Sequence, residues 1–188
     1  VTRDGGTFGG QLTGTINRGK IGANTLSLSN ANPVAGTLSV LGGTLSLRDN
    51  GTLLNVTGVD VNYATLTFDN NASLQTQINN RLDDAAAITL RGGNITYTGR
   101  AASIATETLG ALSLAQGANT ITATSTAGSG AFNSVDLTFG ALTRSAGATI
   151  NFTGTNLGQQ GNNSRIVFAS TPALVGNGIL GAWGVANQ

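Results

Sequence analysis

No cysteine, methionine or histidine occurs anywhere in the 188 residues, and each absence removes a class of chemistry. A Ser/His or Cys/His pair cannot form, so nucleophilic catalysis of that kind is excluded. A Ser/Lys arrangement would have to use Lys20, the only lysine, and no nucleophile motif surrounds it. The lack of both sulfur residues suits a protein exposed to oxidants outside the cell, because no thiol or thioether is left to modify. A bias toward small residues would exclude them equally. Charge is scarce as well: nine Lys and Arg against eight Asp and Glu leave a net charge of +1. The basic residues run from Arg3 to Arg165 without clustering, so no field capable of holding a polyanion is expected, and no nucleic-acid partner. No stretch of apolar residues is long enough for a helical membrane span. The chain opens on Val1 with neither a Met nor an export signal. It is therefore read as one domain, residues 1–188, processed or cut from a longer exported protein.

What is present is glycine, with 28 residues, and a hydrophobic fraction of 39%. Low charge alone would suit a disordered chain, but here the apolar residues alternate with Ser, Thr and Asp, which a disordered chain has no reason to do. The unit recurs as Leu26-Ser27-Leu28, Leu45-Ser46-Leu47, Leu66-Thr67-Phe68, Ile88-Thr89-Leu90, Leu112-Ser113-Leu114 and Leu137-Thr138-Phe139. In a strand, alternate side chains point to opposite faces, so each triplet sends two apolar groups inward and one hydroxyl outward, and each short strand buries one face. Successive centres lie 19, 21, 22, 24 and 25 positions apart, with Leu38-Ser39-Val40, Val59-Asp60-Val61 and Ile95-Thr96-Tyr97 between them. This predicts an all-β solenoid of roughly eight coils, each with two or three short strands. Gly42-Gly43, Asp49-Asn50-Gly51 and Asp69-Asn70-Asn71 supply corner residues. Pro33 and Pro172 fall outside the triplets, as strand donors require.

Three segments interrupt the pattern. In 72–87, Leu74, Ile78 and Leu82 recur every four residues among polar ones, which predicts a short amphipathic helix. Residues 101–109 read as a loop-like excursion, and 124–134, rich in Ser, Gly and Ala, as a flexible one. Near the end, Trp183 with Ile179 and Leu180 is the expected stacking end of the coil column. No charged capping helix is written at either end, so the expected partners are other copies of the chain or neighbouring repeats of its parent.

Paired carboxylates are the enzymatic option, because β-helices can carry acidic and basic groups on one outer face. The candidate group is Asp60, Arg81, Asp83, Asp84 and Arg100, joined by Tyr63 and Tyr97 if these dispersed rings share its face, since the sequence otherwise lacks the aromatic platform a polysaccharide wants. Against it, Asp49 and Asp69 sit beside Asn in corners, and Asp83 and Asp84 read as solvated turn residues. The glycine-rich nonapeptide of calcium β-rolls is absent, which leaves only an adventitious ion at Asp83-Asp84. Sequons at Asn55, Asn71, Asn94, Asn151 and Asn162 are about as many as composition alone supplies. No metal, cofactor or catalytic residue is expected.

Four stretches carry a resemblance: Gly42-Gly43-Thr44-Leu45-Ser46-Leu47, Ala85 through Gly93, Glu107 through Leu114, and Leu142 through Phe152. They resemble the autotransporter-associated β-strand repeats of long bacterial surface proteins. The resemblance implies a right-handed parallel β-helix, export to the bacterial surface, and a structural or adhesive role, with no catalytic residue carried over. The leading expectation is thus a non-enzymatic extracellular segment of a surface fibre or matrix that assembles end to end. The alternatives are a glycan-binding or glycan-cleaving β-helix and a passive spacer that presents another domain.

Overall fold

The computed structural model describes residues 5–15, 17–126, 133–159, 163–174 and 180–187. Among these residues every regular element is a strand and none is a helix. An eight-stranded sheet is built from β1 (Gly6–Phe8), β3 (Thr25–Leu28), β5 (Thr44–Arg48), β7 (Thr65–Asp69), β9 (Asn94–Gly99), β12 (Ala118–Ser125), β15 (Thr149–Gly154) and β17 (Gly184–Asn187), in that spatial order. A six-stranded sheet holds β2 (Arg18–Lys20), β4 (Ala35–Val40), β6 (Asn55–Asn62), β8 (Ala87–Arg91), β11 (Leu112–Gln116) and β14 (Leu142–Arg144). A three-stranded sheet holds β10 (Ile104–Leu109), β13 (Ser134–Phe139) and β16 (Ser164–Phe168). Neighbours within each sheet are parallel, and the chain passes from one sheet to another before returning to the first, as in a β-solenoid.

Alternation decides what lies between the sheets. Leu26, Leu45, Leu66, Ile95, Ile121 and Phe152 pair in one buried column. Leu28, Leu47, Phe68, Tyr97 and Ala123 form the next, with the Phe68 and Tyr97 rings edge to face at 6.4 Å. The six-stranded sheet adds Leu38, Val59, Ile88 and Leu112, and the third sheet adds Leu109, Phe139 and Phe168. These side chains form one continuous core. Each fully buried aliphatic or aromatic group contributes roughly 1.5–3 kcal/mol, so the columns are the main source of stability.

The recurring triplets do not form one column. Ser27, Ser46 and Thr67 belong to the eight-stranded sheet, Thr89 and Ser113 to the six-stranded sheet, and Thr138 to the third. In the eight-stranded sheet the true register after Thr67 runs to Thr96, Thr122 and Thr153. The rung-to-rung offsets are therefore 19, 21, 29, 26 and 31 residues. The 26- and 31-residue rungs carry a third strand, β10 and β13, and the 29-residue rung carries the irregular 70–82 segment instead; before β10 that side is closed by single bridges at Ala31–Thr52 and Leu53–Leu82.

Two of the three interruptions differ from expectation. Residues 72–87 form no helix: the segment runs through turns and irregular backbone, then enters β8 at Ala87. The four-residue spacing of Leu74, Ile78 and Leu82 is coincidental, since only Leu82 is buried and Leu74 is exposed. Residues 104–109 of the expected loop are strand β10. Within 124–134, residues 127–132 lie outside the described residues, and β12 and β13 flank them.

The corner at Gly51 shows why glycine is required there. A Cβ on Gly51 would sit 2.0 Å from the Leu28 carbonyl oxygen and 2.8 Å from that of Arg48. Gly51→Ala is expected to destabilise the chain by about 3 kcal/mol, because backbone rather than a flexible side chain would have to move. A urea midpoint equal to that of the parent would show that the corner is looser than its contacts imply.

Candidate functional site

The seven residues expected on a lateral face do not share one. Tyr97 is fully buried: it is an inward residue of β9, flanked by the outward Thr96 and Thr98. Arg81 is fully buried too, so neither can meet a polysaccharide. Asp83 is a turn residue whose Oδ1 accepts the Ala85 N–H at 2.8 Å. Asp84 and Arg100 are exposed, and the Arg100 carbonyl accepts the Ser103 hydroxyl. Asp60 is paired with Arg91 at 3.1 Å. Tyr63, 71% exposed and at φ 46°, lays its ring against Gly92. What remains outside is a small surface group of Tyr63, Arg91 and Asp60.

The most organised polar chemistry lies inside. Arg81 donates from Nε to Asn70 Oδ1 at 2.7 Å and from Nη1 to the Gly51 carbonyl at 2.8 Å. Its Nη2 reaches the carbonyls of Asp49, Asp69 and Thr76 at 3.0, 3.1 and 3.3 Å. The planar fork suits several fixed acceptors at once, which an ammonium could not meet. Its own backbone N–H and that of Leu82 donate to the Glu107 carboxyl at 2.9–3.0 Å. Asn70 donates to the Tyr97 hydroxyl and to the Ile78 carbonyl. Asp49 accepts the Leu74 N–H at 2.7 Å and the Arg48 Nε at 3.0 Å. Together these bonds fasten the irregular 70–80 segment to the corner below it and to the strand above.

Burial pushes the Glu107 carboxyl up to about 7, against the two backbone N–H donors and the Arg81 cation that favour its charged form. Burial also pulls the Arg81 guanidinium below its usual value, with Glu107 opposing. The Tyr97 phenol is raised, first by burial and then by the Glu107 charge. A shifted carboxyl beside a fixed cation is often a catalytic arrangement. Here Arg81, Glu107 and Asn70 are fully buried, so the arrangement holds the chain rather than meeting a substrate.

Glu107, Asn70 and Asp49 were not among the candidate residues read from sequence. A signal for Glu107 was present: Ala105, Glu107 and Leu109 alternate with Thr106 and Thr108, which places Glu107 on the inward face of a strand.

Lys20 is buried, and its ammonium donates to the carbonyls of Ile21, Gly22 and Gly42 at 2.8–3.0 Å. No group of three acidic side chains forms a metal-ligand cluster among the described residues. At the late end of the stack, Trp183 and Leu180 pack against the core. Arg144 lies 5.0 Å from the Trp183 ring centre, and the Trp183 carbonyl accepts the Ile150 N–H at 2.8 Å. Leu180, Phe152, Leu157, Ile166 and Phe168 line a largely apolar groove of about 500 Å³. Ile179, the third expected stacking residue, lies outside the described residues.

The fold and these sites define an all-β protein of parallel strands in stacked sheets, with its polar cluster inside. No family model, curated protein or solved structure matches the chain.

Proposed function

We propose that this chain is a non-enzymatic structural or adhesive β-solenoid. In this reading it is right-handed with roughly eight coils, and it forms a segment of a bacterial surface fibre or matrix by end-to-end stacking. The observation that carries the reading is the pair of open sheet ends. Among the described residues β1 and β2 have no strand beyond them at one end, and β14, β16 and β17 have none at the other. Such edges present unpaired backbone N–H and C=O groups, and head-to-tail contacts that do not close into a ring extend into filaments. The partly exposed apolar groove at the late end supports the same reading, as does a net charge of only +1, which opposes association weakly. Export to the bacterial cell surface follows from the repeat resemblance and the sulfur-free composition. Other copies, or neighbouring repeats of a parent chain, are the partners.

Negative-stain electron microscopy, with size-exclusion chromatography and light scattering on the same sample, tests it. End-to-end oligomers or filaments that grow with concentration are expected. A single monomeric species over a wide concentration range would count against assembly and favour the spacer role.

The exposed ring of Tyr63 beside the Arg91–Asp60 pair favours a second reading, a lateral polysaccharide contact. A glycan array in which binding disappears with Tyr63→Ala would support it.

A further inference from the structure

Two of the three outward columns of the eight-stranded sheet form an uncharged array; the third, beside them, runs Arg48, Asp69, Thr98 and Thr124. At its centre, Thr65 and Thr67 on β7 pair with Asn94 and Thr96 on β9, which pair with Thr120 and Thr122 on β12. β3 and β5 extend both columns with Thr and Ser, and β15 extends them with Asn151 and Thr153. No charged, aromatic or aliphatic side chain interrupts either column across these six strands. The register is unbroken from β3 to β15, whereas the six-stranded sheet shifts at Gly36/Thr37 and at Leu114/Gln116. The outward columns of the other sheets are mixed and include Asp60, Asp136 and Arg165.

The array is also short of internal partners. Thr122 and Thr153 share a hydrogen bond at 2.8 Å, but the hydroxyls of Thr65, Thr67, Thr96 and Thr120 have no protein partner among the described residues. Ser27 and Ser46, in the same column, are only 7% exposed, so the accessible hydroxyls are those of the threonines. These donors and acceptors are left for something outside the fold.

The spacing selects what that is. Adjacent strands lie about 4.8 Å apart, and alternate residues along a strand about 6.7 Å apart. Hexagonal ice repeats along its a and c axes at distances within about a tenth of these two spacings, so hydroxyls on such a grid can bond successive water positions in register. Threonine adds a methyl group beside each hydroxyl, which limits how the neighbouring water can orient. A flat sugar surface would be met better by an aromatic platform, and neither column has one.

We propose that the outward face of the eight-stranded sheet binds ice, holding an ordered water layer on its Thr, Ser and Asn columns. This does not depend on assembly into fibres. Slow freezing of a solution of the full chain onto an ice probe, with measurement of thermal hysteresis on the same sample, tests it. The folded chain is expected to be enriched in the ice fraction and to separate the freezing from the melting point. Thr96→Lys and Thr122→Lys, each placing a long cation at the centre of the array, should lose most of both effects. Thr89→Lys, on the outward face of the six-stranded sheet, should keep them. Circular dichroism establishes that each variant is folded, and the unsubstituted chain decides the matter even if the lysine variants do not fold. Exclusion of the folded parent chain from ice overturns the proposal. So does equal loss in Thr89→Lys, and so does binding to microcrystalline cellulose without binding to ice.

Discussion

Arg81→Ala is expected to lower the unfolding free energy by about 3–5 kcal/mol, the range for removing one partner of a buried, hydrogen-bonded ionic group. The guanidinium is fully buried and holds Asn70 together with four backbone carbonyls, from Asp49, Gly51, Asp69 and Thr76. Alanine leaves all of these acceptors without their donor, in a space from which solvent is excluded, and each unsatisfied group costs about 1–3 kcal/mol where water cannot enter to replace the bond. It also removes the one cation that favours the charged form of Glu107. Arg81→Lys should recover only a small part, since a single ammonium cannot reach carbonyls in separate segments. Urea denaturation gives the loss, and limited proteolysis locates it, with cleavage within residues 71–80 well below the global midpoint. A loss under about 1 kcal/mol, of the size typical for surface substitutions, would mean that the 70–80 segment is held by something else.

The second large effect is a pH dependence that originates at Glu107. Its carboxyl has an ordinary value of 4.5 in the unfolded chain and about 7 in the folded one. Because the folded value is the higher, the unfolded state loses its proton first as pH rises. The stability associated with the protonated group is complete below about 4.5 and is lost as pH rises through about 7. At 1.36 kcal/mol per unit, that change amounts to about 3 kcal/mol. Stability measured by denaturant unfolding is thus expected to fall across this window. Glu107→Gln keeps an oxygen to accept the Arg81 and Leu82 N–H groups but cannot ionise, so its profile should be flat where that of the parent slopes. If the parent and Glu107→Gln show the same slope, the titration belongs to another group.

Much of the framework is legible in the residues themselves. The triplets Leu26–Leu28, Leu45–Leu47 and Leu66–Phe68 are strands, and their apolar members are all buried. The Asp69 corner is a turn in which the side chain accepts the Asn71 N–H at 2.9 Å. These features are local: two-residue alternation places a side chain on one face or the other, and Asx side chains bond their own backbone. The helix expected at 72–87 failed because a four-residue spacing of apolar residues is consistent with a helix without requiring one, and here the backbone finds its partners in Arg81, Asn70 and Asp49 instead.

The candidate site was less legible. Nothing local to Arg81 marks it as buried, because the acceptors that enclose it come from as far away as Asp49, 32 positions earlier in the chain. Tyr97 was legible: the alternation of Ile95-Thr96-Tyr97 already puts it on the inward side with Ile95, which is incompatible with a place on an outer polysaccharide face.

The sequence by itself determined the strand-forming triplets, most of the corners and the absence of thiol and imidazole chemistry, because each follows from residue type or nearest-neighbour spacing. The tertiary structure alone decided which sheet each triplet joins, that Arg81 lies inside, and that the Thr, Ser and Asn residues of six strands fall into one array. Those outcomes depend on the register between strands 19 to 31 residues apart, and so on how long each intervening turn of chain must be to bring its groups back into contact.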